Sequence, residues 1–134
     1  MLDSSFLIAF HNRNDAHHDA AAKAMEDLLV GRWGQALLLE YVFLEVVTVL
    51  LARRGHQGAL RVGALLLEAS EIDFVPCSDF FLDTLETFRT QSSGRLSFAD
   101  AAIVAAARRL KAEHVATFDR GFEGLEGIRV IPEK

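Results

Sequence analysis

Ser97–Phe98–Ala99–Asp100–Ala101–Ala102–Ile103–Val104–Ala105–Ala106–Ala107 leads through Arg108–Arg109–Leu110–Lys111 to His114–Val115–Ala116–Thr117–Phe118–Asp119. The first part, to Lys111, is alanine-rich and has the length of a helix. The second is a short apolar run of strand length, and a helix feeding a strand in this way is half of a βαβ unit. Each part carries one carboxylate, Asp100 and Asp119, that its apolar surroundings do not call for.

Working outward, helix and strand signals alternate along most of the chain. Asp15 to Leu29 sets Ala21, Met25, Leu28 and Leu29 on one helical face, ended by Gly31 and Gly34. Gln35 to Leu39 has strand length. Tyr41 to Arg54 predicts a helix stopped by Gly55, and Gly58 to Ala69 another. Ile72 to Pro76 reads as a strand. Asp79 to Gln91 reads as a helix with Phe81, Leu85 and Phe88 at i, i+4, i+7, and Ile128 to Ile131 as the last strand. Strands separated by helices predict an α/β fold with a mainly parallel sheet covered on both faces, whose ligands sit beyond the C-terminal ends of the strands. Only Met1 and Leu2 precede Asp3, so the first strand is very short.

The chain has 134 residues, 51% hydrophobic and 25% charged, which suits a single soluble domain over 1–134. No apolar run has the length of a membrane span, and no signal peptide is visible. One cysteine, Cys77, excludes an internal disulfide framework and a cysteine-based zinc site, and the cytoplasm is the expected compartment. Fourteen Lys and Arg against nineteen Asp and Glu give a net charge of −5. That argues against binding nucleic acid chiefly through a broad basic surface. It leaves room for a nuclease, whose acid cluster is offset by bound cations.

Four acids stand out. Glu45 is the only charge between Tyr41 and Ala52, on a helix apolar nearly all round, where burial is expected. A lone buried carboxylate costs several kcal/mol unless it is paired, protonated or metal-bound. A salt bridge to a distant arginine is the structural alternative. Ser97-x-x-Asp100 has the form of a capping box, which competes with a functional role for Asp100. Asp119, before Arg120–Gly121, also suits a turn, and Asp3, before Ser4–Ser5, also suits a helix cap. As a set they say more. Two lie at strand ends and two on helices that can flank the same sheet edge. Converging carboxylates raise one another's pKa, a strain that a hard cation relieves, and oxygen-only ligation suits Mg²⁺ or Mn²⁺.

The same residues resemble the four motifs of PIN-domain proteins. Asp3–Ser4–Ser5–Phe6–Leu7–Ile8 is similar to the opening Asp-[Thr/Ser]-[Ser/Asn] signature, and Leu44–Glu45–Val46 to the helical glutamate. Leu96–Ser97–Phe98–Ala99–Asp100–Ala101 resembles the third motif, and Thr117–Phe118–Asp119–Arg120–Gly121–Phe122 the fourth. They occur in family order, with spacing close to bacterial toxins of the VapC type. The resemblance implies a three-layer α/β/α fold with a five-stranded parallel sheet and Mg²⁺- or Mn²⁺-dependent endoribonuclease activity. It also implies a homodimer and a cognate antitoxin whose tail covers the active site. Carried over, Asp3, Asp100 and Asp119 are the metal ligands, Glu45 completes the acidic cluster, and Ser5 and Thr117 support it by hydrogen bonds. Two departures stand: the family's first strand is longer, which leaves room for a start further upstream, and many members carry an acid where this chain has Gly121.

Other residues weigh less. His17 and His18 diverge by about 100° on a helix, cannot chelate one ion together, and suit surface or packing roles. The ten phenylalanines have core-like spacings rather than those of a stacking platform. Arg53, Arg54, Arg61, Arg89, Arg95, Arg108, Arg109 and Lys111 offer phosphate contacts without singling one out. Tyr41 and Phe43 on the apolar Glu45 helix suggest a dimer or antitoxin interface. Cys77, with no His or Cys near it in sequence, reads as inert. A receiver-like signalling domain would want paired acids after strand one and a lysine after the last strand. A phosphomonoesterase with an aspartate nucleophile would want an acid at position 5. Neither pattern is present.

Overall fold

The computed structural model describes residues 1–133; Lys134, the last residue of the expected domain, lies outside them. The order is α1 (Ser4–Phe10), α2 (His18–Leu29), β1 (Ala36–Leu39), α3 (Glu40–Glu68), β2 (Ile72–Val75), α4 (Phe81–Thr90), α5 (Phe98–Leu110), β3 (His114–Ala116) and β4 (Arg129–Ile131). Short 3₁₀ turns at Ser78–Phe80 and Arg120–Phe122 precede α4 and follow β3. α2 begins at His18 rather than at Asp15, because the Asp15 carboxylate accepts the His17 backbone N–H at 2.8 Å and holds a turn there. α3 breaks where its sequence predicts, at Gly55, whose φ of 78° is open to glycine at little cost.

The expected five-stranded sheet does not form as such. β1 pairs in parallel with β2, and β3 in parallel with β4, as two separate two-stranded sheets. The N-terminal dipeptide lies between them. Leu2 donates to the Leu37 carbonyl at 3.0 Å, Ala116 donates to the Met1 carbonyl at 2.8 Å, and Asp3 donates to the Ala116 carbonyl at 3.0 Å. Two residues are too few for a ladder, so the central position is filled by a single parallel bridge, Leu2 to Ala116. The resulting order is β2, β1, Leu2, β3, β4, in which β1 runs parallel to β2 and Leu2 to β3 and β4. The ends of Leu2 and β3 therefore open on one edge.

The core is built on that arrangement. Leu2, Phe6, Leu7, Leu38, Leu39, Val42, Val46 and Val115 are fully buried, as are Ala101, Ala102 and Ile103 of α5. The alanine run lets α5 approach the neighbouring elements closely without voids. α4 departs from its sequence reading. Phe81, Leu85 and Phe88 are exposed, Leu82 is 76% exposed, and Thr84 is the residue that α4 buries. Phe81 and Phe88 meet Phe98 at the start of α5, with ring centroids 5.9 and 5.7 Å away, and leave the rest of the stripe to solvent. Among the described residues, no helix is long and apolar enough to cross a membrane.

Candidate active site

Asp3 follows directly from the Leu2 bridge and stands at the N-cap position of α1, with extended backbone (φ −102°, ψ 156°). It does not cap that helix with its side chain. Its Oδ2 instead accepts two hydroxyl hydrogen bonds, from Thr117 at 2.6 Å and from Ser5 at 2.8 Å. Both hydroxyl oxygens are in turn occupied as acceptors. Ser5 Oγ takes the Phe118 backbone N–H at 3.0 Å, and Thr117 Oγ1 takes that of Asp119 at 2.9 Å. The hydroxyl hydrogens are thus left for the carboxylate, and residues 117–119 are tied to it. At 2% exposure Asp3 is nearly out of water, and burial raises its pKa. The hydrogen bonds from Thr117 and Ser5 oppose that rise, and the Glu45 charge adds to it.

Asp100 is also buried, at 8% exposure, in the first turn of α5. The capping box forms: Ser97 donates its backbone N–H to Asp100 Oδ2 at 3.0 Å, and Asp100 donates its own to Ser97 Oγ at 3.1 Å. The structural role and exposure to the site coexist, because the box uses one carboxylate oxygen. Burial lifts the Asp100 pKa to about 6, helped by the charges of Asp3 and Asp119 and opposed by the Ser97 hydrogen bonds. Asp119 is exposed, and its Oδ1 accepts the Gly121 N–H at 2.8 Å. A Cβ on residue 121 would come within 3.2 Å of that oxygen, so the glycine departure from the family pattern leaves Asp119 its present position.

Glu45 corrects its sequence reading. It is half-buried, because Leu44 and Thr48 beside it face outward on an uncovered side of α3. No arginine meets it; Ser4 donates its hydroxyl to Glu45 Oε1. Ser4 was not singled out from sequence, and only its place between Asp3 and Ser5 hinted at a role. His17 and His18 behave separately, as expected. His18 Nδ1 lies 2.9 Å from the Ala9 carbonyl, and His17 stacks on Phe118. Cys77 is buried, and burial raises its thiol pKa, which keeps it unreactive.

Asp3, Asp100 and Asp119 are thus electrostatically coupled across one edge, with Glu45 acting on Asp3. The ion pairs among the described residues involve Asp27, Asp83, Glu86 and Glu113, and none of these four acids. Among the described residues, no group of three or more His, Cys, Asp or Glu side chains is placed so as to hold a metal ion. The oxygen donors of these acids are of the type that suits a hard cation keeping most of its waters.

The chain belongs to the PIN-domain family, whose model matches residues 1–128. Its fold is also similar to the crystal structure of Mycobacterium tuberculosis VapC20, a sarcin–ricin loop cleaving toxin. The TM-score is 0.78 at 24% identity, over 96% of this chain and 97% of that one. A search of curated proteins finds no significant match.

Proposed function

We propose that the chain is a Mg²⁺- or Mn²⁺-dependent endoribonuclease and the toxin of a toxin–antitoxin pair. The observation that carries this reading is the coupled set Asp3, Asp100 and Asp119, two of them buried, with no cation paired to any. Family membership and the fold shared with VapC20 support it. Asp3, Asp100 and Asp119 would hold the metal directly or through water, with Glu45 as the outer acid. A bound divalent cation would stabilise charge on the scissile phosphate and lower the pKa of its water. Thr117 and Ser5 fix the orientation of Asp3, and Ser4 that of Glu45. The apolar flank at Tyr41, Leu44 and Val49 is the proposed contact for a second copy or an antitoxin segment. Purified protein should cleave a ribosomal RNA stem-loop with Mg²⁺ or Mn²⁺ and stop on adding EDTA. Cleavage unaffected by EDTA, or undiminished in Asp100→Asn, would overturn the reading.

A further inference from the structure

Phe6, buried, Phe118, half-buried, and His17, exposed, form a continuous stack of rings. Phe6 and Phe118 have centroids 6.0 Å apart at 22°, and Phe118 and His17 lie 4.4 Å apart at 9°. The stack runs from the core out to solvent and passes the acidic edge. Phe118 sits between Thr117 and Asp119, and its backbone N–H is held by the Ser5 hydroxyl that also serves Asp3. The backbone N–H of His17 donates to the Asp15 carboxylate, which holds the turn that carries the ring. Being exposed, it has one ring face on Phe118 and leaves the other to solvent. Beside it lies a cavity of about 300 Å³ whose lining includes His17, Ala20, Phe118, Asp119, Arg120 and Pro132.

We infer that the stack is completed by an unpaired nucleobase of the RNA, stacked on the exposed side of His17. This rests on the proposed nuclease function and names how its substrate is gripped. A flat, nearly parallel ring pair ending in solvent is the surface on which a base stacks. The same two rings line the cavity beside the acids, with Ala20 and Pro132 as further uncharged walls. His17 is then the base-contacting residue, held in place by Phe118.

The test uses the full chain with Asp100→Asn as an uncut background, in Mg²⁺. The probes are fluorescein-labelled octaadenylate and an abasic ribose-phosphate strand of equal length. Octaadenylate should bind about tenfold more tightly than the abasic strand. Adding His17→Ala should remove that advantage without weakening binding of the abasic strand, and His17→Phe should restore it. Circular dichroism checks that each variant is folded. Three results overturn the inference: no advantage of octaadenylate over the abasic strand, an advantage that survives His17→Ala, or an equal loss on both strands. Wild type that cuts no RNA while this base dependence holds would strike the nuclease reading and leave the base site standing.

Discussion

Two regions of this molecule break the rule that polar groups face water and apolar groups face the core, and they break it in opposite senses. At the strand-end edge, Asp3 and Asp100 are buried although carboxylates rarely are. Along the outer side of α3 and α4, Leu44, Leu82, Phe81 and Phe88 are exposed, and a groove of about 410 Å³ runs past Tyr41, Leu44 and Phe98 and reaches the site at Glu45. The edge is organised. Each of its hydroxyls has a donor and an acceptor partner, and its backbone amides are fixed. The flank has no such network; its rings meet only at loose tilts, as Tyr41, Phe81 and Phe88 do around Phe98. Buried charge held by many hydrogen bonds is what chemistry on a charged substrate requires, and uncovered apolar surface is what a partner requires.

The largest effect expected is on cleavage. Asp3→Asn and Asp100→Asn each remove a charge from the buried edge while keeping its shape. Each should lower RNA cleavage by more than about a hundredfold, since loss of even an outer-shell partner typically costs 10–100-fold. Circular dichroism should show both still folded. A variant of either kind that retains a tenth of wild-type activity would show the edge to be structural.

The next effect concerns pH and carries a definite sign. Folded Asp100 titrates near 6 against 3.8 for the ordinary carboxyl. Between those values the native state holds a proton that the unfolded chain has lost. The contribution is therefore full below about pH 4 and is lost as pH rises through 6, with a ceiling of ~3 kcal/mol. Asp3, also raised, acts in the same direction. His11 acts oppositely, because burial and Arg54 lower its pKa and its stabilisation grows as pH rises. Comparing wild type with Asp100→Asn by urea denaturation, metal-free, at pH 4.5 and 7.5 cancels His11. Wild type should gain less, or lose more, than the variant on going to pH 7.5. Mg²⁺ at a hundredfold excess over Kd should restore roughly 2.7 kcal/mol to wild type and much less to the variant. Identical pH slopes for the two proteins would remove the like-charge strain from the edge.

A smaller effect tests the organisation of the edge rather than its charge. Thr117→Val keeps the shape of the side chain but takes one of two hydroxyl donors from Asp3 and strands the Asp119 amide. Cleavage should fall about 10–100-fold, with a rise in the metal concentration giving half-maximal rate. An unchanged metal dependence would mean that Thr117 does not orient Asp3.

How much of this was legible in the sequence differs between the two regions. The set Asp3, Glu45, Asp100 and Asp119 could be read because isolated acids stand out in apolar surroundings. Each local alternative was also visible, and the structure separates them. Asp100 does cap and Asp119 does hold a turn, whereas Asp3 at a cap position does not cap. The break at Gly55 followed from local backbone preference. What depends on distant partners was out of reach. Ser4 meets Glu45 41 positions on, and His17 finds Phe118 only through the fold. Periodicity marked Phe81, Leu85 and Phe88 as one face but could not say that only Phe98 would meet its rings and leave them part-exposed. Strand count failed for a similar reason. Apolar runs show where strands lie, while the number of paired residues is set by geometry, and Leu2 supplies only a bridge.

The smallest effect belongs to the flank. Leu44 is 66% exposed on α3, whereas Val42 and Val46, two residues to either side, are buried. Leu44→Gln keeps helix propensity nearly constant and removes apolar surface that the isolated chain does not bury. Its stability should change by no more than ~0.5 kcal/mol, whereas Val46→Ala, which opens a void in the core, should cost about 1–3 kcal/mol. The contrast predicts a separation of properties. Leu44→Gln should still cleave RNA, since Leu44 makes none of the edge's hydrogen bonds although it lines one groove with Glu45, yet weaken self-association in sedimentation velocity. A stability loss above 1 kcal/mol would place Leu44 in the packing of the monomer. A sedimentation profile unchanged from a self-associating wild type would move the contact to another face. A wild type that is monomeric at every concentration would leave the flank to the antitoxin, for which co-purification with and without Leu44→Gln is the remaining measurement.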